Sequence, residues 1–201
     1  MSRILAALVL LVIAALPARA QESPTAVAER LNQSLLTVMK EAKELGYEGR
    51  YRKLEPELKD VFRLPLMAEI SAGTHWKKLS PEEQKALVDA FTRYTTATYA
   101  SRFHGYSGEA FKVVGEEPAR GGAVLVKSQI VKTNGEAIAI DYVMRRFDRG
   151  WQIIDVYLKG SISELATRRA EYSSVIGREG LPALLARIDG IVNGYANGKS
   201  G

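Results

Sequence analysis

The chain has 201 residues, enough for one domain with a real core and too few to expect two. Its 28 Lys and Arg against 23 Asp and Glu leave a net charge of +5, and no basic stripe interleaved with stacking aromatics supports a nucleic acid partner. It has no cysteine, which excludes a disulfide, a lipidated cysteine, a thiol nucleophile and a thiolate metal site.

The first segment reads as an export signal. Met1, Ser2 and Arg3 are a short basic opening, residues 4–16 are uninterruptedly apolar, and Ala18-Arg19-Ala20 supplies a small-x-small cleavage site before Gln21. The apolar run is short for a membrane span. The expectation is a signal peptide over 1–20, a single α+β domain over 21–196, a disordered tail over 197–201 with nothing to bury, and a soluble periplasmic address.

The domain opens with a predicted helix over 24–45: Ser23 caps it, Pro24 suits its first turn, Val27, Leu31, Leu35, Val38, Ala42 and Leu45 recur at helical spacing, and Gly46 ends it. Shorter helices are expected over 51–62, with Leu54, Leu58 and Val61 on one side, and over 66–72, separated by Pro65. The clearest helix runs over 81–103. Ser80 and Glu83 form a capping box, and the buried stripe is Leu87, Val88, Phe91, Tyr94, Thr95, Thr98 and Tyr99, whose small hydroxylated members leave room beside the rings.

Residues 111–159 read as a four-stranded antiparallel meander over 111–114, 123–132, 137–147 and 151–159. Asn134-Gly135 between two β-branched runs signals a type I′ hairpin, and Gly150 permits the next turn. Strict alternation puts Ile138, Ile140, Tyr142 and Met144 on one face of the third strand and Ala137, Ala139, Asp141, Val143 and Arg145 on the other. The last strand is apolar on both sides, with Trp151, Ile153 and Tyr157 opposed to Ile154, Val156 and Leu158. Helices over 163–175 and 178–196 complete an α+β fold in which helices pack on a strongly twisted four-stranded sheet. By periodicity the apolar face of that sheet reads as ordinary core under a layer of helices, and a sheet and helices can also part to enclose a cavity.

Signals for catalysis are weak. His75 and His104 stand in no metal-binding spacing, and neither a G-x-S-x-G elbow nor a glycine-rich loop ahead of a helix occurs. Asp141 and Asp155 interrupt apolar strands. Either could be a general base in a cavity of the ketosteroid isomerase kind, where burial raises a carboxyl pKa. Alternatively, Asp141 faces water and Asp155 accepts hydrogen bonds at a rim. No second catalytic group accompanies either, so the reading is a protein without enzymatic activity, cofactor or metal.

Gly73, Trp76 and Ser80 ahead of a long helix bearing Phe91 and Tyr99, then a hairpin, then Trp151-Gln152-Ile153-Ile154-Asp155-Val156, Gly160, Ser161, Arg169, Tyr172 and Gly180 form an order that resembles the MlaC family of periplasmic lipid shuttles, also called the toluene-tolerance family. The likeness covers about residues 24–191. The run 163–172 is most similar to the hopanoid-associated HpnM branch, and Arg168 and Phe62-Arg63-Leu64 depart from the phospholipid shuttles, which usually carry an aromatic and an F-D-F-like piece there.

The resemblance implies a non-catalytic carrier of a hopanoid or phospholipid between an inner-membrane transporter complex and an outer-membrane acceptor, hiding the lipid tails in an apolar cavity between sheet and helices. It implies a lining of Val38, Met39, Phe91, Tyr94, Thr98, Tyr99, Val124, Val126, Ile138, Ile140, Tyr142, Met144, Ile153 and Tyr157, with Arg145, Arg146, Arg168 and Arg169 at the mouth or on a docking surface. Choosing the wrong sheet face would misassign half the strand residues. The rival readings are a small cavity enzyme and a solid-cored, ligand-free interaction module.

Overall fold

The structure, a computed structural model, describes residues 22–198. The leader expected over 1–20 lies outside the described residues, as does the end of the expected tail from residue 199. Asn197 closes the last helix by donating its N–H to the Asn193 carbonyl at 3.1 Å. Among the described residues no helix is long and apolar enough to cross a membrane.

The chain runs α1 (Pro24–Lys40), α2 (Ala42–Val61), α3 (Leu64–Ala72), α4 (Pro81–Arg102), then strands β1 (Ala110–Pro118), β2 (Val124–Val131), β3 (Ala137–Phe147), β4 (Gly150–Leu158) and β5 (Ile162–Ser163), and ends in α5 (Glu164–Glu179) and α6 (Leu181–Ala196). The Ser23 hydroxyl accepts the Ala26 N–H at the start of α1, and Ser80 and Glu83 exchange both bonds of a capping box at α4. The helix break expected at Gly46 is present, since Gly46 takes the non-helical φ 59° and ψ −173° between two helical stretches of α2; the predicted 24–45 helix is also interrupted earlier, where α1 stops at Lys40.

The sheet is an antiparallel meander in the order β1-β2-β3-β4-β5. It has five strands where four were expected, because the two-residue β5 pairs with the end of β4. The loop expected around Pro118 begins later, since β1 extends through Pro118 and bulges between Val113 and Gly115. The hairpin between β2 and β3 also differs from a type I′ turn. Gly135 has φ 85°, but Asn134 is not left-handed, and the Gly135 N–H closes the turn on the Lys132 carbonyl at 3.0 Å.

One irregularity decides which side chains face the helices. Val143 pairs with Asp155 while Met144 pairs with Ile153, so Ile154 is an extra residue in β4. A bulge of this kind breaks the two-residue alternation. Ile153 therefore shares the inner face with Val156 and Leu158, which pair with Tyr142 and Ile140, and Tyr157 is turned to the other face opposite Asp141.

Helices and sheet meet in a dense core at one end of that inner face. Leu31, Leu35, Leu54, Leu58, Phe62, Val126, Met144 and Ile153 are at most 2% exposed. The Arg63 N–H donates to the Ile153 carbonyl at 2.9 Å, tying the α2–α3 junction to β4. A buried polar chain crosses the same interface: the Tyr142 hydroxyl donates to Asn32 Oδ1 at 2.9 Å, and Asn32 Nδ2 donates to Ser128 Oγ at 3.0 Å. These contacts satisfy polar groups that would otherwise be costly to bury.

Candidate functional site

Beyond Tyr142 the layers separate around a cavity of about 320 Å³. Its roof is the α4 face carrying Phe91, Tyr94, Thr95, Thr98, Tyr99 and Arg102, a run at three- and four-residue spacing that keeps every member on one side of the helix. Its floor is Ile130, Ile138, Ile140, Tyr142, Val156 and Leu158 from β2, β3 and β4. Phe62 and Met67 close one side, Glu164, Leu165 and Arg168 of α5 another, and Phe103 and Lys159 complete the wall.

The cavity explains why several apolar side chains near the core keep accessible surface. Ile138, Ile140, Leu158 and Tyr99 are only partly covered, although all line the cavity. The Thr98 hydroxyl is buried there without a hydrogen-bond partner. Burial pushes the Tyr99 and Tyr142 phenols above their ordinary range, so both stay neutral in this apolar setting.

Four charged side chains line the cavity, Arg102, Lys159, Glu164 and Arg168. Arg102 and Lys159 are exposed, at the end of α4 and just past β4. The Arg168 guanidinium lies over the Tyr94 ring, 4.7 Å from its centroid, and donates to Glu171 at 2.6 Å, with Glu164 4.0 Å away. Burial works against the Arg168 charge, but Tyr94, Tyr172, Glu171 and Glu164 together outweigh it and leave the guanidinium above its ordinary pKa.

Of the residues proposed from the sequence to line a cavity, Phe91, Tyr94, Thr98, Tyr99, Ile138, Ile140 and Tyr142 stand on its wall. Val38, Met39, Val126, Met144 and Ile153 do not, although all are buried: Val126, Met144 and Ile153 lie in the dense core, and Val38 borders a separate pocket between α1 and α2. Val124 packs against that core rather than on the cavity, and Tyr157 is carried to the opposite sheet face by the bulge at Ile154. The same bulge hid Val156 and Leu158. Ile130 was legible, since it shares the face of Val124 and Val126 by simple alternation.

The four arginines proposed for a mouth are scattered. Only Arg168 lines the cavity. Arg145 and Arg146 pair with Gln152 and Trp151 at the far end of β3, and Arg145 donates to the Gly121 carbonyl at 3.0 Å. Arg169 borders a shallow groove on α5 with Ser173.

Neither strand aspartate reaches the cavity. Asp141 is buried at 7% exposure rather than facing water, and its Oδ1 accepts the Ser128 N–H at 3.1 Å. Asp155 organises the start of α5: its carboxylate accepts the Leu165 N–H at 3.0 Å and the Ser163 hydroxyl at 2.5 Å. Glu164 is thus the one carboxylate on the wall among the described residues. His104 Nδ1 lies 2.7 Å from the Ser101 carbonyl, and among the described residues no three His, Asp or Glu side chains gather as a metal site would require.

Among the described residues, six α-helices and a five-stranded antiparallel sheet part around a largely apolar cavity with a few charged side chains on its wall, an α+β protein with a cavity between its layers. The chain belongs to the MlaC family, whose model, described as MlaC protein, matches residues 29–189. It also shares its fold with a phospholipid-binding protein from Ralstonia solanacearum solved in complex with a phospholipid: the TM-score is 0.76 at 20% sequence identity, covering 87% of this chain and 99% of that one.

Proposed function

We propose that this protein is a periplasmic lipid carrier, which holds the hydrocarbon part of a lipid between α4, α5 and the sheet and leaves the headgroup at the charged rim. It would take that lipid from an inner-membrane transporter complex and deliver it to an outer-membrane acceptor without chemical change. The observation that carries the reading is the composition of the wall, apolar but for Thr and Tyr hydroxyls and charged only at Arg102, Lys159, Glu164 and Arg168. A lipid tail loses about 0.8 kcal/mol per methylene exposed to water, so a shielded path is what allows transfer across an aqueous compartment. The space of about 320 Å³ falls at the lower end of pockets that enclose small ligands.

A phospholipid is the first occupant to test, by analogy with the Ralstonia protein and its bound phospholipid. A hopanoid is the second. The run 163–172, whose residues resemble the hopanoid-associated branch, supplies Glu164, Leu165 and Arg168 to the wall. On either reading Phe91, Tyr94, Thr98, Tyr99, Ile138, Ile140 and Tyr142 contact the hydrocarbon.

Native mass spectrometry of the processed protein, purified from its own periplasm without detergent, tests the proposal. A stoichiometric lipid is expected, and its extraction and identification separate phospholipid from hopanoid. A ligand-free mass that persists after incubation with liposomes containing both would overturn it in favour of an interaction module.

A further inference from the structure

We infer that Arg102 and Lys159 form a subsite for a lipid headgroup of net negative charge, so that the carrier loads anionic lipids in preference to zwitterionic ones, whose ammonium the same two cations repel; this rests on the carrier reading above. Of the charged groups on the cavity wall, Glu164 and Arg168 face each other at 4.0 Å, and Arg168 is further engaged by Glu171 at 2.6 Å. Arg102 and Lys159 make no ion pair with any described carboxylate. The rim therefore carries two uncompensated positive charges beside an apolar, poorly screening wall.

The backbone at Lys159 is set by the turn that joins β4 to β5. Among the described residues it is the one non-glycine residue with positive φ, at 52°. Its N–H is held by the Ala139 carbonyl at 2.9 Å. A glycine or asparagine would occupy that conformation with less strain. The conformation is that of a tight turn: Lys159 and Gly160, with φ 52° and 73°, are its two central residues, and the Ser161 N–H closes it on the Leu158 carbonyl at 3.3 Å. The turn places Lys159 on the cavity wall that Arg102 also lines from the end of α4, and a guanidinium offers forked donors suited to phosphate oxygens.

The test loads the lipid-free protein, at low ionic strength, from vesicles of equal phosphatidylglycerol and phosphatidylcholine with identical chains, and reads the bound species by native mass spectrometry. Two partly exposed charge contacts correspond to roughly fivefold enrichment of phosphatidylglycerol. Arg102→Gln with Lys159→Gln is expected to bring the two lipids to parity, and Lys159→Arg to retain the preference. Equal loading by the wild type overturns the subsite while leaving the carrier reading intact. Enrichment that survives in the double variant overturns its assignment to these residues, and failure to load either lipid overturns both proposals. Phosphorus NMR with inorganic phosphate separates a free-anion site from a headgroup site: phosphate binding together with equal loading of the two lipids overturns the headgroup assignment.

Discussion

The Tyr142 hydroxyl donates to Asn32 Oδ1 at 2.9 Å, across a sequence separation of 110 residues, and this bond joins α1 to the inner face of the sheet where dense core gives way to cavity. Both residues are buried, Tyr142 completely. Removing the hydroxyl by Tyr142→Phe leaves the Asn32 carbonyl oxygen buried without its donor, which costs about 1–3 kcal/mol. Urea unfolding should show the midpoint falling at an unchanged slope. A wild-type midpoint would mean that this contact does not hold the layers.

Core and cavity wall should respond differently to truncation. Ile153 is fully buried, and Ile153→Ala is expected to cost about 2–5 kcal/mol through lost burial and an added void. Leu158 already borders open space, so Leu158→Ala should cost less than half as much. Equal losses in the same unfolding experiment would show that the layers close around Leu158.

Filling the cavity should separate binding from folding. Ile140→Trp extends an aromatic ring into existing space, so stability should stay within about 1 kcal/mol of wild type instead of showing the full cost of overpacking. Lipid detected by native mass spectrometry should fall severalfold. A variant that binds lipid at the wild-type level would place the hydrocarbon elsewhere.

The buried phenols predict alkaline sensitivity. Burial raises the pKa of Tyr99, Tyr142 and Tyr172 in the folded state above the unfolded value of about 10. Above that value the unfolded chain releases protons that the folded chain retains, so stability is fully present below about pH 10 and is lost as pH rises further. Tyrosinate absorbance should resolve one class of tyrosines that ionises normally and another that ionises only with unfolding. Titration of all the tyrosines as one normal class would contradict the burial.

Asp155 should matter through α5. Asp155→Ala removes the acceptor for the Leu165 N–H and the Ser163 hydroxyl, and with it the anchor of the helix that brings Leu165 and Arg168 to the cavity. A loss of about 1–3 kcal/mol is expected by thermal or chemical unfolding, together with weaker lipid retention. Unchanged values for both would remove Asp155 from the account.

Local chemistry made most elements legible. Ser80 and Glu83 announce α4, the β-branched runs either side of Asn134-Gly135 announce β2 and β3, and the α4 stripe from Phe91 to Tyr99 marks a face that does line the cavity. These signals are short-range, because capping bonds, turns and helical spacing involve residues a few positions apart. Gly46 was legible too, since its positive φ breaks the helical run where the sequence announced it, whereas the earlier interruption after Lys40 has no such local signal.

The amino-acid sequence by itself determined the order of helices and strands, the inner face of β3 and the apolar face of α4, because each follows from a period or from a bond between near neighbours. Only the tertiary structure decided that Met144 and Ile153 are solid core while Ile140 and Leu158 border a void, since periodicity reports which face is covered and not how far away the covering layer stands. The tertiary pairing likewise exchanged Tyr157 for Val156 and Leu158 through one extra residue in β4, and brought Arg102 and Lys159, which lie on either side of the meander in the chain, to one rim. Those outcomes depend on register and on the separation of layers, which are set by packing between distant segments.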